Sequence, residues 1–181
     1  MDLFELFAGN DSWHTNRLLD YAKNLTDEQL DRPIDGARVF PWEGPDRSLR
    51  ELLDRLVLTK EVWAAALHGG SAPVMDNPPA NCTPACLRAR FEKADREFMS
   101  IIGDVRKRGA WSDTFVDALC EPAETFTFGG MFASVITFNI HRRLVALEAM
   151  RRLGVPVDGY GDPIEYERSV AASRAEEVVE R

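Results

Sequence analysis

The sequence predicts an all-α fold, a four-helix bundle, on three observations. Apolar residues recur at helical spacing in four separate stretches, capping side chains stand ahead of them, and no strand-dominated segment of any length interrupts the pattern. Helices of this kind bury their apolar stripes against one another around a single core. Two long connections exceed simple hairpin turns, which favours a crossover topology.

The first helix is expected from Asp11 to Asn24, because Trp13, Leu18, Leu19 and Ala22 recur at helical spacing and Asp11 or Ser12 can cap its exposed amides. Thr26 and Gln29 then match a capping box, a short turn that closes this helix off. A loop rich in Pro and Gly, "RPIDGARVFPWEGPDR", follows. Ser48 with Glu51 makes a second capping box and opens a helix from Leu49 to Leu67, whose buried stripe reads as Leu49, Leu52, Leu53, Leu56, Val62, Trp63 and Ala66. The third helix takes Thr83 as cap and Pro84 at its first position, where a missing amide costs nothing, and runs to about Lys107 through Leu87, Phe91, Ala94, Phe98, Ile101, Ile102 and Val105. The segment "WSDTFVDALCEPAETFTFGG" reads as extended chain or a short hairpin. A fourth helix runs from about Gly130 to Leu153 and is ended by Gly154 and Pro156. Asp162 and Pro163 then open a peripheral helix with few apolar positions, frayed at its end. Residues 1–160 are thus expected to form the bundle, and 161–181 a C-terminal helix or tail.

A chain of 181 residues with 45% hydrophobic content fits one domain with a sizeable core. With 22 basic against 30 acidic side chains the net charge is -8, which repels phosphate backbones and anionic lipid at long range, so neither nucleic acid nor membrane is expected as partner. No apolar run approaches the roughly 20 residues that span a bilayer, and "MDLFELFAGNDSW" lacks the basic start and cleavage site of a signal peptide. A cytoplasmic protein is the expectation. Cys82, Cys86 and Cys120 are an odd count with no further zinc ligands around "NPPANCTPAC", and read as structural thiols.

Several of these stretches resemble one family. "GNDSWHTNRLLDYAKNLTDEQLDRP" is similar to the opening of DinB-like proteins, "SLRELLDRLVLTKEVWAAAL" to their second helix, and "HRRLVALEAMRRLGVP" to the end of their fourth, so that the resemblance covers most of residues 6–156. It implies a four-helix bundle in up-down-down-up order, often dimeric, and in many members a divalent metal held by one histidine of the second helix and two of the fourth, spaced four apart. Side chains at that spacing stack on one helix face, and neutral imidazoles suit Zn, Ni or Fe while leaving positions open. Members with such sites include thiol-dependent transferases and isomerases.

The ligands that the resemblance implies are missing here. Arg55 stands where the second helix carries its histidine. On the fourth helix one register aligns Thr137 and His141 with the ligand pair, and the register shifted by one aligns Phe138 and Arg142. Helical phase favours the shift, which puts Arg142 on the stripe with Val135, Phe138, Val145 and Ala149. A guanidinium offers no neutral lone pair, so no metal and no other cofactor is expected. A surviving site would need carboxylates such as Glu61 or Glu148.

Arg55 and Arg142 then point toward the cavity that holds the family's metal, with His141, Glu61 and Trp63 as further candidates to line it. Two guanidiniums there either bind a small anionic ligand or are neutralised internally by Asp54, Glu61, Asp20 or Glu148. Arg143 is expected to face solvent or a partner chain, His141 to bond Thr137 or Glu148, and Trp63 and Trp13 to serve the core. Three function classes remain: a binding or regulatory module that has lost its metal, an enzyme such as a thiol-dependent transferase or a metal-dependent hydrolase with a degenerate site, and a dimeric scaffold. A homodimer is expected, since the fourth helix is apolar on nearly all sides.

Overall fold

The computed structural model describes residues 1–34, 48–70 and 82–179. Most of the Pro- and Gly-rich loop expected at residues 32–47 therefore lies outside the described residues, as does any fraying beyond Val179. Six helices and one hairpin are present among them.

Helix α1 (Leu3–Ala22) starts at Leu3 rather than Asp11. The physical reason is a capping box at the chain start, in which the Glu5 amide donates to the Asp2 carboxylate at 2.9 Å and the Asp2 amide donates to Glu5 at 3.0 Å. Gly9 and Asn10 resemble a loop but lie inside this helix. The short helix α2 (Asp27–Leu30) carries the capping box of Thr26 and Gln29 with both of its bonds made, at 3.2 and 2.9 Å. Ser48 caps α3 (Leu49–His68), accepting from the Glu51 amide, and a bridge from Ser48 to Pro33 ties α2 to the start of this helix. Thr83 caps α4 (Pro84–Arg108) with Pro84 at the first position. Both α3 and α4 end on a glycine in the left-handed region, Gly69 at φ 67° and Gly109 at φ 65°.

The segment read as extended is an antiparallel hairpin of β1 (Thr114–Asp117) and β2 (Glu124–Thr127), with Phe115 opposite Phe126. Thr127 ends the hairpin and caps α5 (Phe128–Arg152). Asp162 accepts from the amides of Ile164 and Glu165 and so opens α6 (Pro163–Val179).

The bundle helices are α1, α3, α4 and α5, and their pairings fix the directions. Phe4 meets Phe132 and Asp11 meets Arg143, so α1 and α5 run parallel. Asp54 meets Arg90 and Lys60 meets Asp95, so α3 and α4 also run parallel. Ser12 meets Asp95 while Asp20 meets Arg88, so α1 runs against α4. The order is therefore up-down-down-up, a topology that needs long crossings. Helix α6 lies on the outside against α1. It is fitted there by glycines: a Cβ on Gly9 would fall 2.2 Å from the Tyr166 hydroxyl, and one on Gly161, at φ 71°, would overlap the His14 ring.

The apolar core is split in two. One cluster joins Leu18, Leu19, Leu52, Leu53, Leu56, Leu87, Phe91, Ala146 and Met150. The other joins Phe98, Ile102, Met131 and Val135, with Phe4, Trp63, Trp111 and the hairpin ring Phe115 packed against them. Truncating one of the larger residues to Ala costs about 3 to 5 kcal/mol for a phenylalanine. What lies between the two clusters is polar.

Candidate functional site

The polar layer follows from the order of residues along each helix. On α1 it falls between Phe4 and Leu18, on α3 between Val57 and Trp63, on α4 between Phe91 and Phe98, and on α5 between Val135 and Ala146. Each helix supplies buried or half-buried polar groups there: Asp11 and His14, Thr59 and Lys60, Asp95, then Asn139, Arg142 and Arg143. A fully apolar stripe would pack at less cost, because a buried charge must be both paired and hydrogen-bonded.

Lys60 and Asp11 form the centre. The Lys60 ammonium stands 2.7 Å from Asp11 Oδ2 and also pairs with Asp95, while the Asp11 carboxylate pairs with Arg143. Asp95 further accepts from the Ser12 hydroxyl at 2.8 Å. The rings of Phe91 and Phe98 lie 5.1 and 5.7 Å from Lys60 Nζ, close enough for their faces to attract the cation. Burial alone would raise the Asp11 carboxyl, but the charges of Lys60 and Arg143 hold it below the usual carboxylate range. His14 is pushed down to about 3, chiefly by burial and then by the Arg143 and Arg17 charges against the opposing pull of Asp11, so it is neutral in the fold.

Arg142 has no exposed surface, and its Nη1 donates to the Thr59 hydroxyl at 2.6 Å. That hydroxyl in turn donates to the Arg55 carbonyl at 2.8 Å, one turn earlier on α3. Arg55 is itself half-buried, as is Phe138, whereas Thr137 and His141 are exposed. Of the two pairs of α5 positions weighed in the sequence, Phe138 and Arg142 are thus the less exposed.

The remaining candidates lie elsewhere. Glu61 belongs to a second cluster, where Arg90 reaches it at 2.6 Å and Asp54 at 2.6 Å, with the Cys82 sulfur 3.4 Å away. The Cys82 thiol is pushed up to about 11 by burial and by nearby Cys86, so it is protonated at neutral pH. Trp63 meets Phe115 and Phe126 edge-on beneath the hairpin. Of the four carboxylates named in the sequence, Asp54 and Glu61 pair with Arg90, Asp20 with Arg88 and Glu148 with Arg152.

Two expectations are corrected. Arg143 does not face solvent or a partner but is 1% exposed and paired with Asp11. Val62, Trp63 and Ala66 are half-buried rather than core, and the stripe of α3 continues instead through Lys60 and Ala64. Reading the sequence also missed Asp11, Lys60, Asp95 and Asn139 as members of one layer. The signal was present, since Lys60 falls four after Leu56 and Asn139 four after Val135, each on the buried face.

Arg55, Phe138 and Arg142, the residues that the resemblance sets against the family's histidines, do not fit a divalent metal. Two guanidiniums and a phenyl ring offer no lone pair, and among the described residues no group of three or more His, Cys, Asp or Glu side chains could hold one. No helix among the described residues is long and apolar enough to cross a membrane.

Fold and site together define a class: a helical bundle with crossover connections, organised around a buried polar layer at mid-height. The family model of the DinB superfamily matches residues 11–146, and the chain belongs to that superfamily. No curated protein and no solved structure matches the chain.

Proposed function

We propose that this DinB-superfamily chain is a binding or regulatory module that has lost the metal centre, and that it takes a small anionic molecule into the polar layer between α3 and α5. One observation carries the reading: Arg142, wholly buried, occupies an inward position on α5 with its guanidinium held by Thr59 of α3. A guanidinium held in this way presents a rigid plane, a shape that suits a carboxylate or a phosphate better than any neutral group. Arg55, one turn from Thr59, adds a second cation on the same side of α3.

The test is calorimetric titration with phosphate, sulfate and propanoate at low ionic strength, on wild type and on Arg142→Met. Wild type is expected to bind at least one of these anions and the variant none. If wild type binds none, the anion reading is dropped.

We further propose a two-fold dimer involving α5. Its outer side carries Leu144, 48% exposed, one turn from the half-buried Ile140.

A further inference from the structure

Helix α6 lies against α1 and is lightly held. Over residues 163–176 none of its residues is fully buried. Among the described residues, no side chain of α6 forms a hydrogen bond or ion pair with another helix; Ser169 and Ser173 donate to carbonyls of α6 itself, and Glu165 accepts from the Tyr160 and Gly161 amides just ahead of it. Contact with α1 is made by Tyr166, whose hydroxyl sits over Gly9 and whose ring lies 5.9 Å from that of Trp13. An element held this way opens more readily than the core it covers.

The loop before α6 is anchored up to a point. Arg17 Nη2 and the Tyr21 hydroxyl donate to the Asp158 carbonyl at 3.2 and 3.3 Å, and Arg151 Nη2 donates to the Gly159 carbonyl at 2.7 Å. Beyond these anchors the most enclosed joint is Gly161, itself buried, seated on the His14 ring. Asn10, one turn before His14 and next to Gly9, lies between the two contacts of this strap. It is 1% exposed, and its Oδ1 has no hydrogen-bond partner among the described residues. The closed strap thus covers an unbonded acceptor and a polar ring, a cost that opening to water relieves.

The imidazole fits this place only while neutral. Arg143 of α5 and Arg17 of α1 act with burial to keep a proton off it. Asp11 is the opposing acid, and it is already paired with Arg143 and with Lys60 of α3. From the side of α6, Glu165 is turned to the Tyr160 and Gly161 amides, Asp162 to those of Ile164 and Glu165, and Asp158 is exposed. On α4, Asp95 and Arg88 meet α1 at Ser12, Asn16 and Asp20, on another face of that helix.

We propose that the seat of Gly161 on His14 is an acid-sensitive joint: in mild acid His14 takes up a proton, Gly161 lifts from the ring, and α6 leaves α1 as a unit while the four bundle helices remain folded. The ring then turns its charge to water, and the face of α1 that carries Gly9, Asn10 and Trp13 opens with it. Gly159 and Gly161, both at positive φ, let the chain pivot here while the anchor at Asp158 holds. With the strap closed the ring value is about 3 against an ordinary 6.5, so closure is favoured above pH 6.5 and loses ground as the pH falls toward 3.

The experiment is hydrogen exchange of the full chain at pH 7.5 and pH 5, corrected for the intrinsic pH dependence of exchange, on wild type and His14→Gln. In wild type the protection of α6 amides is expected to fall by about 10- to 30-fold at pH 5, with the bundle amides still exchanging more slowly than those of α6. In His14→Gln the protection of α6 should be the same at both pH values. Three results overturn the proposal: no fall in wild type, one common exchange rate for α6 and the bundle at pH 5, or a fall that persists in His14→Gln. If the variant does not fold, NMR of wild type decides. A His14 ring that loses its nuclear Overhauser contact with Gly161 as it takes up its proton upholds the joint, and a protonated ring that keeps this contact overturns it.

Discussion

Asp11 and Arg143 pair in the interior of the bundle, from helices that run parallel, with Lys60 closing on the other oxygen of the same carboxylate. One acid thus ties three helices together. Asp11→Ala leaves two cations buried without that acid and should destabilise the fold by about 3 to 5 kcal/mol, the usual cost of breaking a buried pair. Urea unfolding measures it. A loss below about 1 kcal/mol would mean that water reaches the layer and screens the pair.

Asp95 is the more exposed acid on Lys60, with a side chain 17% accessible. Asp95→Asn should therefore cost less than Asp11→Ala, since solvent softens the loss. Comparing the two variants in one unfolding series checks the order, and the reverse ranking would contradict the central role given to Asp11.

The fold should weaken in mild acid because of His14. Its folded value of about 3 lies below its ordinary value of 6.5, so the folded state binds its proton less readily than the unfolded state. The contribution is fully present above pH 6.5 and is lost progressively as the pH falls toward 3. At pH 5 the loss amounts to about 2 kcal/mol relative to pH 7 and above. Asp11 acts in the same direction, but only as the pH falls below the ordinary carboxylate range. Unfolding free energies at pH 7.5 and pH 5, with the His14 ring followed by NMR, test this; a ring that titrates near 6.5 would refute it.

Gly161→Ala should release α6 from α1. A methyl there overlaps the His14 ring, and φ of 71° strains any side chain in addition. The expected result is fast hydrogen exchange over residues 163–176 with the four bundle helices still protected. Unchanged protection of α6 would show that the loop has room to give.

Elemental analysis of protein purified without added metal should find no stoichiometric Zn, Ni or Fe, because Arg55 and Arg142 stand at the expected ligand positions. Light scattering at tens of micromolar should give a dimer mass. Bound metal that disappears in His141→Ala would restore the other register, and a monomer mass would count against the proposed role of α5.

The sequence by itself determined the elements. Ser48, Thr83 and Asp162 stand where caps are needed, the apolar spacing marks the helix bodies, and the Thr- and Phe-rich stretch before α5 forms the hairpin. These are local signals, carried by residues within a turn of one another. The start of α1 was harder to read because Gly9 and Asn10 look like loop chemistry, and only the docking of Tyr166 gives Gly9 its reason. The polar layer belongs to the tertiary structure. Periodicity says that Lys60, Asn139, Arg142 and Arg143 share faces with apolar residues, but a charge is tolerated inside only when a partner meets it. Those partners, Asp11 for Arg143, Thr59 for Arg142 and Asp95 for Lys60, come from helices distant in sequence. Whether an arginine faces water or the core is decided by that encounter, which is why Arg143 is buried against Asp11 although its residue type suggests a surface position.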